Sequence, residues 1–229
     1  MPLIRPVSLS PSETASLDNI FRTTSGPSFK SEPIATIASQ IYCHQYPHLS
    51  PTTCFVLETD SGEVVGYILG TPSTSAFCQK WKQTFPSVLA EIGLEAPPDY
   101  AAEGRPEPTF EEDAAAQLLY QAYYKPEEML NGNFEGLWER WPAHFHIDIL
   151  SEWQRQGWGR KMIETMLRAL KAEGARGVQL GMEAGNGGAE KFYKAMGFER
   201  FPGVLDGGVS GEMGRVDDRV LYLVKTLEG

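Results

Sequence analysis

Gln154-Arg155-Gln156-Gly157-Trp158-Gly159-Arg160 lies between a short strand-like run, His144 to Leu150, and a long amphipathic helix pattern. Strand, glycine-rich turn and helix start together build a backbone cradle for an anion. Glycines let N–H groups approach a phosphate without interference from Cβ. The first helical turn leaves its N–H groups unpaired at the positive end of the dipole, and the dipole alone favours an anion by about 0.3–2 kcal/mol. Read alone, Gly-x-Gly also fits a tight turn with no ligand. The flanking segments must decide.

Upstream, the strand His144-Phe145-His146-Ile147-Asp148-Ile149-Leu150 alternates its side chains between two faces. One face carries Phe145, Ile147 and Ile149. The other carries His144, His146, Asp148 and Leu150. A strand that leads into a buried crossover should be apolar on both faces, so three ionisable residues mark a polar cleft. Asp148, nearest the cradle, reads as functional. His146 reads equally as substrate-facing or structural, and His144 as a structural residue at the strand edge. His-x-His-x-Asp is also a pattern that could ligate a metal. Only His44 and His48 remain in the chain as further histidines, and no metal is expected.

Downstream, a helix over 159–173 carries Met162, Ile163, Met166, Leu167 and Leu170 on one stripe and ends at Gly174. Val178 to Met182 reads as the next strand and Gly188 to Met196 as the next helix, closed by Gly197. Asn186 is placed to cap that helix. Phe198 to Phe201 and Val220 to Val224 read as final strands, separated by a glycine-rich loop, 203–219, read as mobile.

Toward the N-terminus, residues 3–7 read as a strand. Ser10-Pro11-Ser12-Glu13 reads as a capping box opening a helix to about Arg22. A second helix is expected from about Glu32 to Tyr46. Cys54 to Thr59 and Glu63 to Gly70 read as a hairpin around Asp60-Ser61-Gly62. Residues 71–143 read as an insertion with helical pieces at about 76–91, 111–124 and 126–138. Its dense aromatics suit a cap that packs over the sheet and helps to wall a substrate site.

The chain has 229 residues, a net charge of −10 and 41% hydrophobic residues, which suits a single domain over 1–229 with one insertion. An acidic surface disfavours nucleic acid but not amines. Cys43, Cys54 and Cys78 have no paired spacing and read as free thiols in a reducing compartment. No apolar run approaches the length of a membrane span, so a soluble, cytoplasmic protein is expected, with no membrane partner and with room for a homodimer.

Gln154-x-x-Gly157-x-Gly159 after one strand, with Asn186-x-x-Ala189-x-x-Phe192-Tyr193-x-x-x-Gly197-Phe198 after the next, resembles the GCN5-related N-acetyltransferase (GNAT) superfamily. The likeness covers 1–70 and 144–226, more fully toward the C-terminus. Within that superfamily, His146-Ile147-Asp148-Ile149 followed by Phe192-Tyr193 resembles the acetyltransferase-like domain attached to O-GlcNAc hydrolases and related free-standing microbial proteins. The 71–143 insertion departs from the minimal pattern and leaves the substrate open.

The resemblance implies an α/β fold: a mixed, mostly antiparallel twisted sheet with one parallel, splayed strand pair, flanked by helices. It implies acetyl-CoA as co-substrate. Its diphosphate would rest on the backbone of Gly157, Trp158, Gly159, Arg160 and Lys161, beside Gln154. Its pantetheine arm would pair with the main chain of Ile149 and Leu150 and contact Asn186. Asp148 is the candidate base, Glu183 a second one, and Tyr193 the family-type acid for the leaving thiolate. His146 and Trp153 are expected to face the acceptor, a small-molecule primary amine such as glucosamine. The alternatives are a lysine in a peptide or protein, or a degenerate acetyltransferase fold that only binds.

Overall fold

The computed structural model describes residues 1–99, 102, 113–132, 134–206 and 208–227. The elements run β1 (Leu3–Pro6), α1 (Pro11–Thr24), α2 (Ile34–Ser39), a π turn (Gln40–His44), α3 (Gln45–Leu49), β2 (Cys54–Glu58), β3 (Val64–Thr71) and α4 (Thr74–Glu91). There follow α5 (Ala114–Tyr124), α6 (Pro126–Met129), α7 (Leu137–Arg140), β4 (Ala143–Ile149), α8 (Trp158–Ala172), β5 (Gly177–Glu183), α9 (Gly187–Ala195), β6 (Glu199–Arg200) and β7 (Val220–Thr226).

One seven-stranded sheet has the order β1-β2-β3-β4-β5-β7-β6. Every neighbouring pair is antiparallel except β4–β5, whose parallel pairing stops after Ala143↔Val178 and His144↔Gln179. Beyond that point the two strands splay. α1 crosses one face of β3 and β4, and α8 packs its Met162, Ile163, Met166 and Leu170 stripe on the sheet's other side. This is the mixed α/β architecture that the sequence implied.

Most boundaries fall within two residues of expectation, and the departures have local causes. The second helix is one run from Ile34 to Leu49 widened by the π turn. Pro47 has no N–H for the Cys43 carbonyl, so the ladder cannot continue regularly there. The expected helix over 126–138 is two short pieces, because Asn131 and Gly136 adopt φ of +62° and +74°. Residues 111–112 of the expected 111–124 helix, and much of the loop before them, lie outside the described residues. Glu13 does not close a capping box on Ser10. Ser10 Oγ accepts from the Glu13 N–H at 3.3 Å, but the Glu13 carboxylate reaches back to the Ser8 N–H and to Arg5.

The 203–219 loop, expected to be mobile, is laced by main-chain bonds in its described part. Gly214 N–H donates to the Gly203 carbonyl and Tyr222 N–H to the Gly214 carbonyl, each at 2.7 Å. Gly214 has φ +74°, and a Cβ there would stand 2.5 Å from the Tyr222 carbonyl oxygen, so only glycine fits.

The insertion is part of the core. Trp81 is 1% exposed, stacks on Phe85 at 4.6 Å, and donates its indole N–H to the Ala122 carbonyl at 2.7 Å. Trp81→Ala should therefore destabilise the protein by about 3–5 kcal/mol. Denaturant titration checks this. A loss below about 1 kcal/mol would show that the insertion packs as a loose cap.

Candidate active site

β4, the glycine turn and the start of α8 follow one another as the sequence pattern implies. Gly157 has φ +86° and caps α8 with no side-chain acceptor. The N–H groups of Trp158, Gly159 and Arg160 belong to the first turn and have no intrahelical acceptor. Lys161 N–H is already used by the Gly157 carbonyl at 3.3 Å, so Lys161 contributes charge rather than an amide. Its ammonium lies 4.2 Å from the centre of the Trp158 ring. A Cβ built on Gly159 meets nothing closer than Phe192 at 3.4 Å, an ordinary contact. Packing within the chain does not demand glycine there. Residues 155–200 hold nine of the twenty lysines and arginines but five of the thirty acidic residues. The cradle therefore stands in the positive part of an acidic chain.

Register decides which main-chain groups face the splay. Leu150 N–H donates to the Val65 carbonyl at 3.0 Å, so it belongs to the β3 ladder. By alternation, Ile147 and Ile149 direct their N–H and C=O groups toward β5. The Ile149 carbonyl accepts from Gln154 Nε2 at 2.7 Å, which straps the glycine turn to the strand end. The Ile149 N–H and both polar groups of Ile147 face the gap.

Across the gap, Asn186 Oδ1 caps α9 by accepting from the Ala189 N–H at 2.9 Å, and its Nδ2 is not used by that cap. Tyr193 on α9 packs edge-on against Phe198 at 5.7 Å. Burial raises its phenol to about 12, and the Asp148 charge adds to the shift. Its proton is thus held at neutral pH, within the field of that carboxylate. Glu183 is exposed at the end of β5, opposite Val220. Trp153 sits partly buried in the turn after Leu150, against the main core.

On the α1 face of the sheet, Asp148 accepts from the Tyr67 hydroxyl at 2.6 Å. Burial raises its carboxyl above the ordinary value, and hydrogen bonding from Tyr67 and Thr24 opposes that rise. His144 and His146 stand on the same face and share the Tyr46 hydroxyl, at 2.7 and 3.0 Å from their Nε2 atoms. Proton counting orders this network. Thr74 Oγ1 gives its proton to the Pro142 carbonyl at 2.8 Å, so it accepts from His144 Nδ1, also at 2.8 Å. The His144 Nε2 then accepts the Tyr46 proton, and the Tyr46 oxygen accepts from His146 Nε2–H. That leaves His146 Nδ1 as a bare acceptor. Burial lowers His144 to about 3 and His146 to about 4, so both rings are neutral at physiological pH. His144 is a satisfied core histidine. Among the described residues, no group of three or more His, Cys, Asp or Glu side chains converges as a metal would require.

The π turn sets Tyr42 edge-on to His146 at 5.7 Å. Such turns recur at functional sites because they re-aim side chains. Tyr222 of β7 accepts from the Asn131 side-chain amide, which ties the insertion to the sheet beside the cleft. Burial raises Tyr42, Tyr46, Tyr67 and Tyr222, so every phenol here is neutral. None of these tyrosines stood out in the sequence. The available signal was a tyrosine in a strand that is otherwise apolar and glycine, as at Tyr67.

Residues 130–200, which span β4, the cradle, α8, β5 and α9, match the acetyltransferase (GNAT) domain family. The crystal structure of SsHAT is similar over 100% of this chain and 99% of that one, with 28% identity and a TM-score of 0.75. The fold also matches Chaetomium thermophilum Naa20 in complex with a bisubstrate analogue, with 19% identity, a TM-score of 0.50 and coverage of 98% and 86%. The NatC complex bound to Gag peptide and CoA matches with 11% identity, a TM-score of 0.52 and coverage of 99% of each chain. With the splayed pair and the cradle, these matches show a GNAT-type fold with an acetyltransferase (GNAT) family segment over 130–200. The matched family transfers the acetyl group of acetyl-CoA.

Proposed function

We propose that the protein acetylates a small primary amine, of which an amino sugar such as glucosamine is the leading candidate, with Asp148 as the base. The observation that carries this reading is a buried carboxylate among neutral phenols and imidazoles, on a strand whose edge splays open beside the cradle. Acetyl-CoA supplies the activated acetyl thioester. The amides of Trp158, Gly159 and Arg160 would hold its diphosphate, with Arg160 and Lys161 adding charge. The Ile147 and Ile149 main chain and Asn186 would hold its arm.

The chain then has two protons to manage. The acceptor arrives as an ammonium, which has no lone pair. Asp148 accepts one proton from it, and the raised carboxyl makes that transfer easier than an exposed aspartate would. Tyr193, protonated at neutral pH, gives its proton to the departing thiolate, and its phenolate recovers one by taking the second nitrogen proton as the amide forms. Glu183, exposed at the end of β5, is the reserve base. Aromatic walls suit a sugar ring, whose C–H face stacks on them, and the bare His146 Nδ1 suits a hydroxyl donor.

A thiol-release assay with acetyl-CoA and a panel of glucosamine, simple alkylamines and a lysine peptide tests the acceptor. Glucosamine should give the highest kcat/KM. A lysine peptide that exceeds it tenfold would move the acceptor to proteins.

A further inference from the structure

The Asp148 carboxylate is held from β3 rather than from its own strand. We infer that Tyr67 is the positioning residue for the base: its hydroxyl donates to Asp148 Oδ2 at 2.6 Å, fixing the carboxylate by one oxygen and leaving Oδ1 to take the proton from the acceptor nitrogen. This rests on the reading of Asp148 as the base.

The arrangement follows from register. Tyr67 and Asp148 are direct partners across β3 and β4 and therefore project from the same face of the sheet. Tyr67 is fully buried, with Cys43 of the π turn beside its hydroxyl. The phenol has one proton. Asp148, the stronger acceptor, takes it, and the Cys43 thiol can then donate to the phenol oxygen. On the α1 side stands Thr24, whose hydroxyl has a competing acceptor in the Ile20 carbonyl at 2.8 Å. His146 is the neutral neighbour along β4, and the Tyr193 phenol of α9 lies within the field of the carboxylate. No cation faces Asp148 among these groups. Tyr67 is therefore the principal donor that favours the ionised carboxylate, and it works against burial.

The test is the pH profile of kcat/KM for glucosamine by thiol release. Activity rises as Asp148 ionises, and both enzymes share the acceptor's own titration. In Tyr67→Phe the carboxylate loses a bond made to its charged form. The acid limb should then move up by about one to two pH units, with activity recovering at high pH and acetyl-CoA affinity unchanged. Site-specific 3,5-difluorotyrosine at position 67 keeps the shape and makes a stronger donor, so it should move the limb down. It decides the matter if the phenylalanine variant does not fold. An unmoved limb overturns the positioning role when Asp148→Asn is inactive. If Asp148→Asn turns over normally, the base assignment itself fails.

Discussion

Asp148→Asn is expected to keep acetyl-CoA binding and lose turnover by about 10²- to 10⁴-fold, the range a positioned base contributes. The amide has nearly the shape of the carboxylate, and its oxygen can still accept from Tyr67, so the cleft should keep its geometry. Asparagine cannot take the proton of an ammonium. The proposed donor cradle lies at the start of α8 and does not include position 148, so calorimetric affinity should be unchanged. Stability should not fall. Burial holds the Asp148 carboxyl above its ordinary value, which means the fold opposes ionisation. The native state therefore binds the proton more tightly than the unfolded chain does, so its stabilising effect is full below the unfolded carboxyl range and is lost as pH rises from there through the raised native value. Asparagine removes that penalty at neutral pH. A variant with turnover within about threefold of the wild type would hand the proton to Glu183 or to water. Equal loss of binding and turnover would point to a collapsed cleft instead.

The legible part of this site was the part written in one segment. Strand alternation placed Asp148 and His146 on one face, and the glycines with their following helix marked the cradle, because both signals are local. The Asn186 cap and the Gly197 stop were local too. What could not be read depends on pairs distant in sequence. Tyr67 meets Asp148 only through β3–β4 register, and a strand buried along its whole length offers no alternation from which to deduce a face. Tyr46 lies about a hundred residues from the histidines it joins, at |i−j| of 98 and 100. The π turn that aims Tyr42 is a one-residue irregularity inside an otherwise periodic helix. Sequence assigned the arm-pairing groups to Ile149 and Leu150. The structure gives the Leu150 amide to Val65 and shifts the open groups toward Ile147, because hydrogen-bonding direction alternates residue by residue.

Gly159→Asp should separate binding from folding more sharply than any change in the cleft. The glycine has room for a Cβ, with Phe192 at 3.4 Å as its nearest contact, so the side chain enters without displacing the chain. Position 159 lies in the first turn of α8. An aspartate there faces the positive end of the helix dipole and improves on glycine in helix propensity, so the melting temperature should hold or rise. For a bound diphosphate the same carboxylate is harmful in two ways. It occupies the space the bare backbone leaves, and it sets a negative charge beside the anion. Losing two charge-assisted amide contacts is enough to weaken acetyl-CoA by about a hundredfold or more, and turnover at fixed donor concentration should fall with it. Calorimetry beside a thermal melt reads both quantities. A variant that melts normally and still binds within about threefold of wild type would place the diphosphate somewhere other than the start of α8. Gly159→Ala refines the result: it adds bulk without charge, so the difference between the two variants isolates the electrostatic share of the cradle.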